Sequence, residues 1–101
     1  MRRFRLTDPA AAEFEGILDF CKAVSPKYAK TLNRELRQRF RLVARYPRLG
    51  TPVSHFAPGM RRTSVRDITI YFRDEGGVTV IHHVVQGARD IDAAFFDGAS
   101  T

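Results

Sequence analysis

The spacing of hydrophobic positions changes along this chain, and the changes mark its elements. Arg3 to Leu6 alternates Phe4 and Leu6 with arginines, the pattern of a short first strand. From about Pro9 to Val24, residues Ala10, Phe14, Ile17, Leu18 and Cys21 recur at three- and four-residue spacing, which predicts a helix carrying Glu13 and Asp19 on its opposite side. Asp8 is expected at the N-cap, where a carboxylate accepts from unpaired amides, and Pro9 at the first helical position, where a missing N–H costs nothing. Ser25-Pro26 repeats that signal and starts a second helix, about Pro26 to Tyr46, which Pro47 and the Leu49-Gly50 turn end. So short a connection makes an antiparallel helical hairpin, whose shared apolar face needs a cover.

The second half of the chain supplies that cover. Arg61 to Arg66, Ile68 to Arg73 and Val78 to Val85 read as three strands, with a break at Asp67 and a tight hairpin at Gly76-Gly77, where positive φ is required. Ala88 to Phe96 is expected to form a last helical turn, with Ile91, Phe95 and Phe96 packing back onto the sheet. The predicted order is β-α-α-β-β-β, an α+β domain with an antiparallel sheet packed on the helical hairpin. One domain over residues 1–96 and a flexible tail over 97–101 follow from the length of 101 residues and the composition of the last five.

Composition narrows the setting. No apolar run approaches the ~18 residues of a membrane span, and the start of the chain lacks the apolar core of a secretory signal. Lone Cys21 has no partner for an intramolecular disulfide and falls on the apolar side of its helix, so a buried thiol in a reducing cytoplasm is expected. Seventeen Lys and Arg against eleven Asp and Glu leave a net charge of +6, which favours nucleic acid or an acidic protein as partner.

The position of that charge says more. At 100° per residue, Ala29, Leu32, Leu36, Phe40 and Val43 form the buried face of the second helix. Lys27, Lys30, Arg34, Arg37, Arg41 and Arg45 line the opposite side within an arc of about 80°. Glu35 is the only acid between Lys22 and Arg48, so the ridge is nearly without internal ion pairs. Each like-charged i, i+4 pair costs roughly 0.2–0.5 kcal/mol, which an anionic partner relieves and salt only screens. An acidic peptide in the groove between helix and sheet fits this better than stacked single-stranded nucleic acid, because Phe40 is on the buried face and only Tyr28 and Tyr46 remain near the helix ends.

Candidate chemistry is sparse. His82 and His83 alternate across the third of the later strands and cannot act as a pair, and His55 sits alone in a loop, so no metal or cofactor is expected. Cleavage of RNA through the 2′-OH would need a base, an acid and cations on the phosphate. Arg61, Arg66, Tyr71, His83 and Arg89 are the residues that would have to converge. Plain alternatives compete for each: exposed strand arginines, a half-buried Tyr71, a satisfied surface His83, and a salt bridge at Arg89-Asp90. Nucleophile motifs, a Walker loop and GxGxxG are absent.

Taken in order, several segments resemble the ParE branch of the ParE/RelE toxin superfamily. They are Leu6-Thr7-Asp8-Pro9 at the first cap, Tyr46-Pro47-Arg48-Leu49-Gly50 at the helix end and Pro58-Gly59-Met60-Arg61 leading into the sheet. Ile70-Tyr71-Phe72-Arg73 and Gly87-Ala88-Arg89-Asp90 complete the set, and the similarity runs from Phe4 to about Phe96. Two positions depart: Ile68 stands where an aromatic is common, and Gln86 where His usually precedes Gly-Ala-Arg-Asp. The resemblance implies a bacterial growth-arresting toxin in a hetero-oligomer with a cognate antitoxin, whose disordered C-terminal segment wraps it. DNA gyrase is the implied target, and ribosome-dependent mRNA cleavage the RelE-like alternative. On this reading Arg34, Arg37 and Arg41 are expected to bind the antitoxin and Arg61, Arg73 and Arg89 the target.

Overall fold

A computed structural model describes residues 3–87. Strand β1 (Arg3–Leu6) leads into helices α1 (Asp8–Val24) and α2 (Pro26–Arg45). Strands β2 (Thr51–Pro52), β3 (Arg61–Val65), β4 (Ile68–Glu75) and β5 (Val78–Gln86) follow. The predicted turn at Ala88 to Phe96, the tail at 97–101 and Arg89 lie outside the described residues.

The helices begin as their sequences require, with one shift of cap. Thr7, not Asp8, is the N-cap of α1: it is extended, and its hydroxyl oxygen accepts from the Ala10 amide at 3.2 Å. The same hydroxyl donates to the His82 carbonyl, and the Thr7 amide donates to Ile81, so the cap also fastens α1 to β5. Asp8 is thereby inside the first turn, where its charge meets the positive end of the helix dipole. Ser25 serves both helices, its amide donating back to Cys21 and its Oγ accepting from the Tyr28 amide. A single shared residue makes the hairpin that the spacing predicts.

The sheet has the order β1-β5-β4-β3-β2 and is mixed. The expected antiparallel sheet is corrected at one edge, where β1 runs parallel to β5 with Phe4 opposite Thr79 and Leu6 opposite Ile81. Hydrophobic alternation fixes which face of a strand is buried but not its neighbour, and here β1 lies beside the last strand. A two-residue strand, β2, is also added beside β3. Arg66 leaves the predicted strand: with φ of 57° it forms a two-residue turn with Asp67. Gly76 and Gly77, at φ of 63° and 86°, make the hairpin turn their sequence calls for.

Leu32, Leu36, Phe40 and Val43 of α2 pack with Phe14 of α1 against Ile68, Ile70, Phe72, Ile81 and Val84 of the sheet. Phe14 meets Phe40 edge-on with centroids 5.3 Å apart. Cys21 is buried in this core. The opposite face of the sheet carries a smaller cluster of Tyr71, Val85, Val53 and Met60, against which Phe56 and Ala57 pack. Tyr71, expected half-buried, is therefore fully buried, because residues between β2 and β3 fold over it.

Candidate functional site

The ridge on α2 is present as predicted. Lys27, Lys30, Arg34, Arg37, Arg41 and Arg45 are all exposed. Arg37 donates to Asn33 at 2.8 Å and lies 5.3 Å from the Phe14 ring centroid, while Arg45 lies over Tyr46. These contacts order the guanidiniums without neutralising them. Glu35 turns away from the ridge to hold Arg66 through two hydrogen bonds of 2.7 and 2.9 Å. Arg66 holds the Glu35 carboxyl below the usual carboxylate range, and Arg66 is itself raised by the pair.

Beside the ridge runs a second stripe, which faces β3. At 100° per residue, Tyr28, Glu35, Leu42 and Tyr46 fall within about 40° of one another. Tyr28, Leu42 and Tyr46 are 38%, 37% and 51% exposed. A cavity of about 370 Å³ opens there between α2 and β3, lined by Glu35, Gln38, Arg39, Leu42 and Val65. Arg39 donates to the Thr63 hydroxyl at 2.6 Å and the Ser64 carbonyl at 3.0 Å, covering the edge of β3 that β2 leaves open. The result is an apolar-studded groove with cations on its rim.

Among the described residues proposed for RNA scission, Tyr71 and His83 stand opposite each other on β4 and β5, but the others are engaged elsewhere. Arg61 donates to the carbonyls of Arg48, Leu49 and Gly50, tying the end of α2 to the sheet. Tyr71 is buried under the β2–β3 segment. His83 lies at the side of β5 against Glu13 of α1, 3.2 Å from Oε2. Arg66 is engaged by Glu35 on the helix side. His82 reaches Glu75 at 2.6 Å, and Arg73 donates to the same oxygen at 2.9 Å and to the Pro58 carbonyl at 3.2 Å. Bonding to His82, reinforced by Arg73, holds Glu75 below the usual carboxylate range against the opposing effect of burial. His82 is the extra residue of a β-bulge, which breaks the expected alternation: Ile81 and Val84 both face the helices, so both histidines leave from the other face, and each reaches a different carboxylate.

Three roles were missed in the sequence. Arg39 is the α2 cation that falls off the ridge in helical projection, a signal that was present. Glu13, placed on the polar side of α1, instead accepts from the Val84 amide at 3.0 Å. Glu75 shares a face of β4 with Arg73 two residues before it, but it joins His82 only through the fold. Among the described residues no cluster of His, Cys, Asp or Glu could hold a metal ion, and no helix is long and apolar enough to cross a membrane.

A helical hairpin on one face of a five-stranded mixed sheet, with a basic groove at its flank, defines an α+β domain. Residues 4–91 match the family described as ParE toxin of type II toxin-antitoxin system, parDE, and the chain belongs to that family. Among solved structures it is similar to a chain of the chromosomal ParDE toxin–antitoxin system from P. aeruginosa. That likeness has a TM-score of 0.71 at 19% identity and covers 85% of this chain and 96% of the other. No curated protein sequence matches it significantly.

Proposed function

We propose that this chain is a toxin neutralised by a cognate antitoxin, and that once free in the cytoplasm it arrests growth by poisoning DNA gyrase. The observation that carries the partner half is the exposed surface of α2, where Tyr28, Leu42 and Tyr46 form a stripe along one side of the cationic ridge that includes Arg34, Arg37 and Arg41. A segment of the antitoxin that is acidic and studded with apolar residues matches both features. Its carboxylates meet the ridge and its apolar side chains meet the stripe.

The target half rests on membership of the ParE family and on the state of the nuclease candidates: Tyr71, opposite His83, is buried, and Arg61 is taken up by carbonyls at the end of α2. Arg73, half-buried on the face of the sheet away from the helices, is the described target-contact candidate, together with Arg89. Arg61 already has a structural task at the end of α2. Purified protein added to gyrase supercoiling and cleavage assays, beside a ribosome-dependent mRNA cleavage assay, tests this. Persistent cleaved DNA is expected. Cut mRNA would replace the reading with RelE-like scission, and silence in both assays would leave a binding module.

A further inference from the structure

Arg39 is the cation of α2 that leaves the ridge, and only one end of it is used. At 100° per residue it lies about 160° round the helix from the middle of the ridge, half-buried on the side that faces β3. Its hydrogen bonds, to the Thr63 hydroxyl and the Ser64 carbonyl, both come from Nη1. Both acceptors are neutral, and among the described residues Arg39 has no other hydrogen bond and no ion pair. The edge formed by Nε and Nη2 is therefore unused. Arg66 shows what such an edge takes, because its own Nε and Nη2 close on the two oxygens of Glu35 at 2.7 and 2.9 Å.

The surroundings of Arg39 add an apolar half to the site. It lines the cavity between α2 and β3 together with Leu42, Val65, Gln38 and Glu35. Glu35, the only acid on α2, stands four residues before Arg39, yet both of its oxygens are committed to Arg66. Arg66 is placed for that task by its turn, with φ of 57°, and its guanidinium lies 5.3 Å from the Tyr28 ring centroid. The cavity thus keeps one guanidinium without a carboxylate. Because Nη1 already fastens that group to β3, little freedom is left to lose on binding, and its half-buried charge is screened less than the exposed ridge.

We infer that this cavity is the anchor point of the antitoxin: a carboxylate of its acidic segment closes on Nε and Nη2 of Arg39, and a neighbouring apolar side chain packs against Leu42 and Val65. The inference rests on the antitoxin reading and divides the binding between two parts of α2. The ridge, fully exposed and round the helix from the cavity, acts at a distance and speeds encounter. Arg39 acts in contact and sets how long the complex lasts.

The test measures association and dissociation rates by surface plasmon resonance, with the full chain and the antitoxin supplied as the product of the reading frame beside the toxin gene. Arg39→Lys keeps the charge but loses the fork, and is expected to dissociate at least about tenfold faster while association stays within about twofold. Leu42→Ser, at an exposed position, is expected to speed dissociation at least about threefold. Reversal of Arg34, Arg37 and Arg41 should instead slow association. Thermal midpoints report whether each variant folds, and Leu42→Ser decides alone if Arg39→Lys is destabilised. No binding to the parent protein would overturn the antitoxin reading and the anchor with it. Binding to the parent with an unchanged dissociation rate in either folded variant would overturn the anchor and leave the antitoxin reading standing.

Discussion

At the scale of single residues, carboxylates organise this molecule. Glu13, Glu35 and Glu75 each reach another element: an amide of β5, the turn arginine Arg66, and His82 of β5, with Arg73 of the same strand added to the last. The pairings between elements are not visible in helical or strand periodicity, because each depends on which elements become neighbours. Glu75 gives a pH prediction. Its folded-state pKa is depressed by His82 and Arg73, so its stabilisation is present above the unfolded value near 4.5 and is lost as pH falls through the folded value. Glu75→Gln is expected to lower stability near neutral pH by up to about 1 kcal/mol, as for a partly exposed ion pair. The gap to the parent protein should close as the solution is acidified below that range, which thermal melts across pH will show. A gap independent of pH would assign Glu75 a role other than its charge.

At the scale of elements, the junction between α2 and the sheet controls whether the groove exists. Gly50 adopts φ of 83°, and a Cβ there would sit 2.1 Å from the Arg62 carbonyl oxygen. The Leu49-Gly50 signal was readable as a helix stop, yet this close approach to β3 was not, because it is set by a strand twelve residues on. Gly50→Ala is expected to destabilise by more than about 1 kcal/mol, through both left-handed strain and the clash. The check is a fall in denaturant midpoint at unchanged slope. Arg61→Ala, which frees three carbonyls after α2, is expected to cost about 1–3 kcal/mol by the same measurement. Loss of toxicity in that variant should therefore track loss of folded protein rather than loss of a target contact.

At the scale of the whole molecule, charge is divided between the two helices. On α2 cations form a ridge along one side of exposed Tyr28, Leu42 and Tyr46, and on α1 four acids stand against one lysine. Reversing Arg34, Arg37 and Arg41 together to Glu should leave the fold intact, since all three are exposed. Affinity for the antitoxin, supplied as the product of the reading frame beside the toxin gene, should fall at least about tenfold and lose most of its salt dependence. Titrations at low and high salt read both effects, and an unchanged affinity at low salt would remove these arginines from the interface. Because binding to the native state adds stability by mass action, the parent protein's thermal midpoint should rise with antitoxin concentration.

The sequence by itself determined the elements, the hairpin, the buried face of α2 and the basic ridge, because these follow from periodicity and caps within a few turns of chain. It also carried the family, through an ordered set of turn and cap residues spread along its length. Tertiary structure alone decided that β1 runs parallel to β5, that Tyr71 is covered from the far side of the sheet, and that Arg61 is tied to the end of α2. Local pattern fixes the direction a side chain takes from its own strand or helix. Which strands become neighbours, and which groups then come within hydrogen-bond reach, is settled by packing between segments distant in the chain.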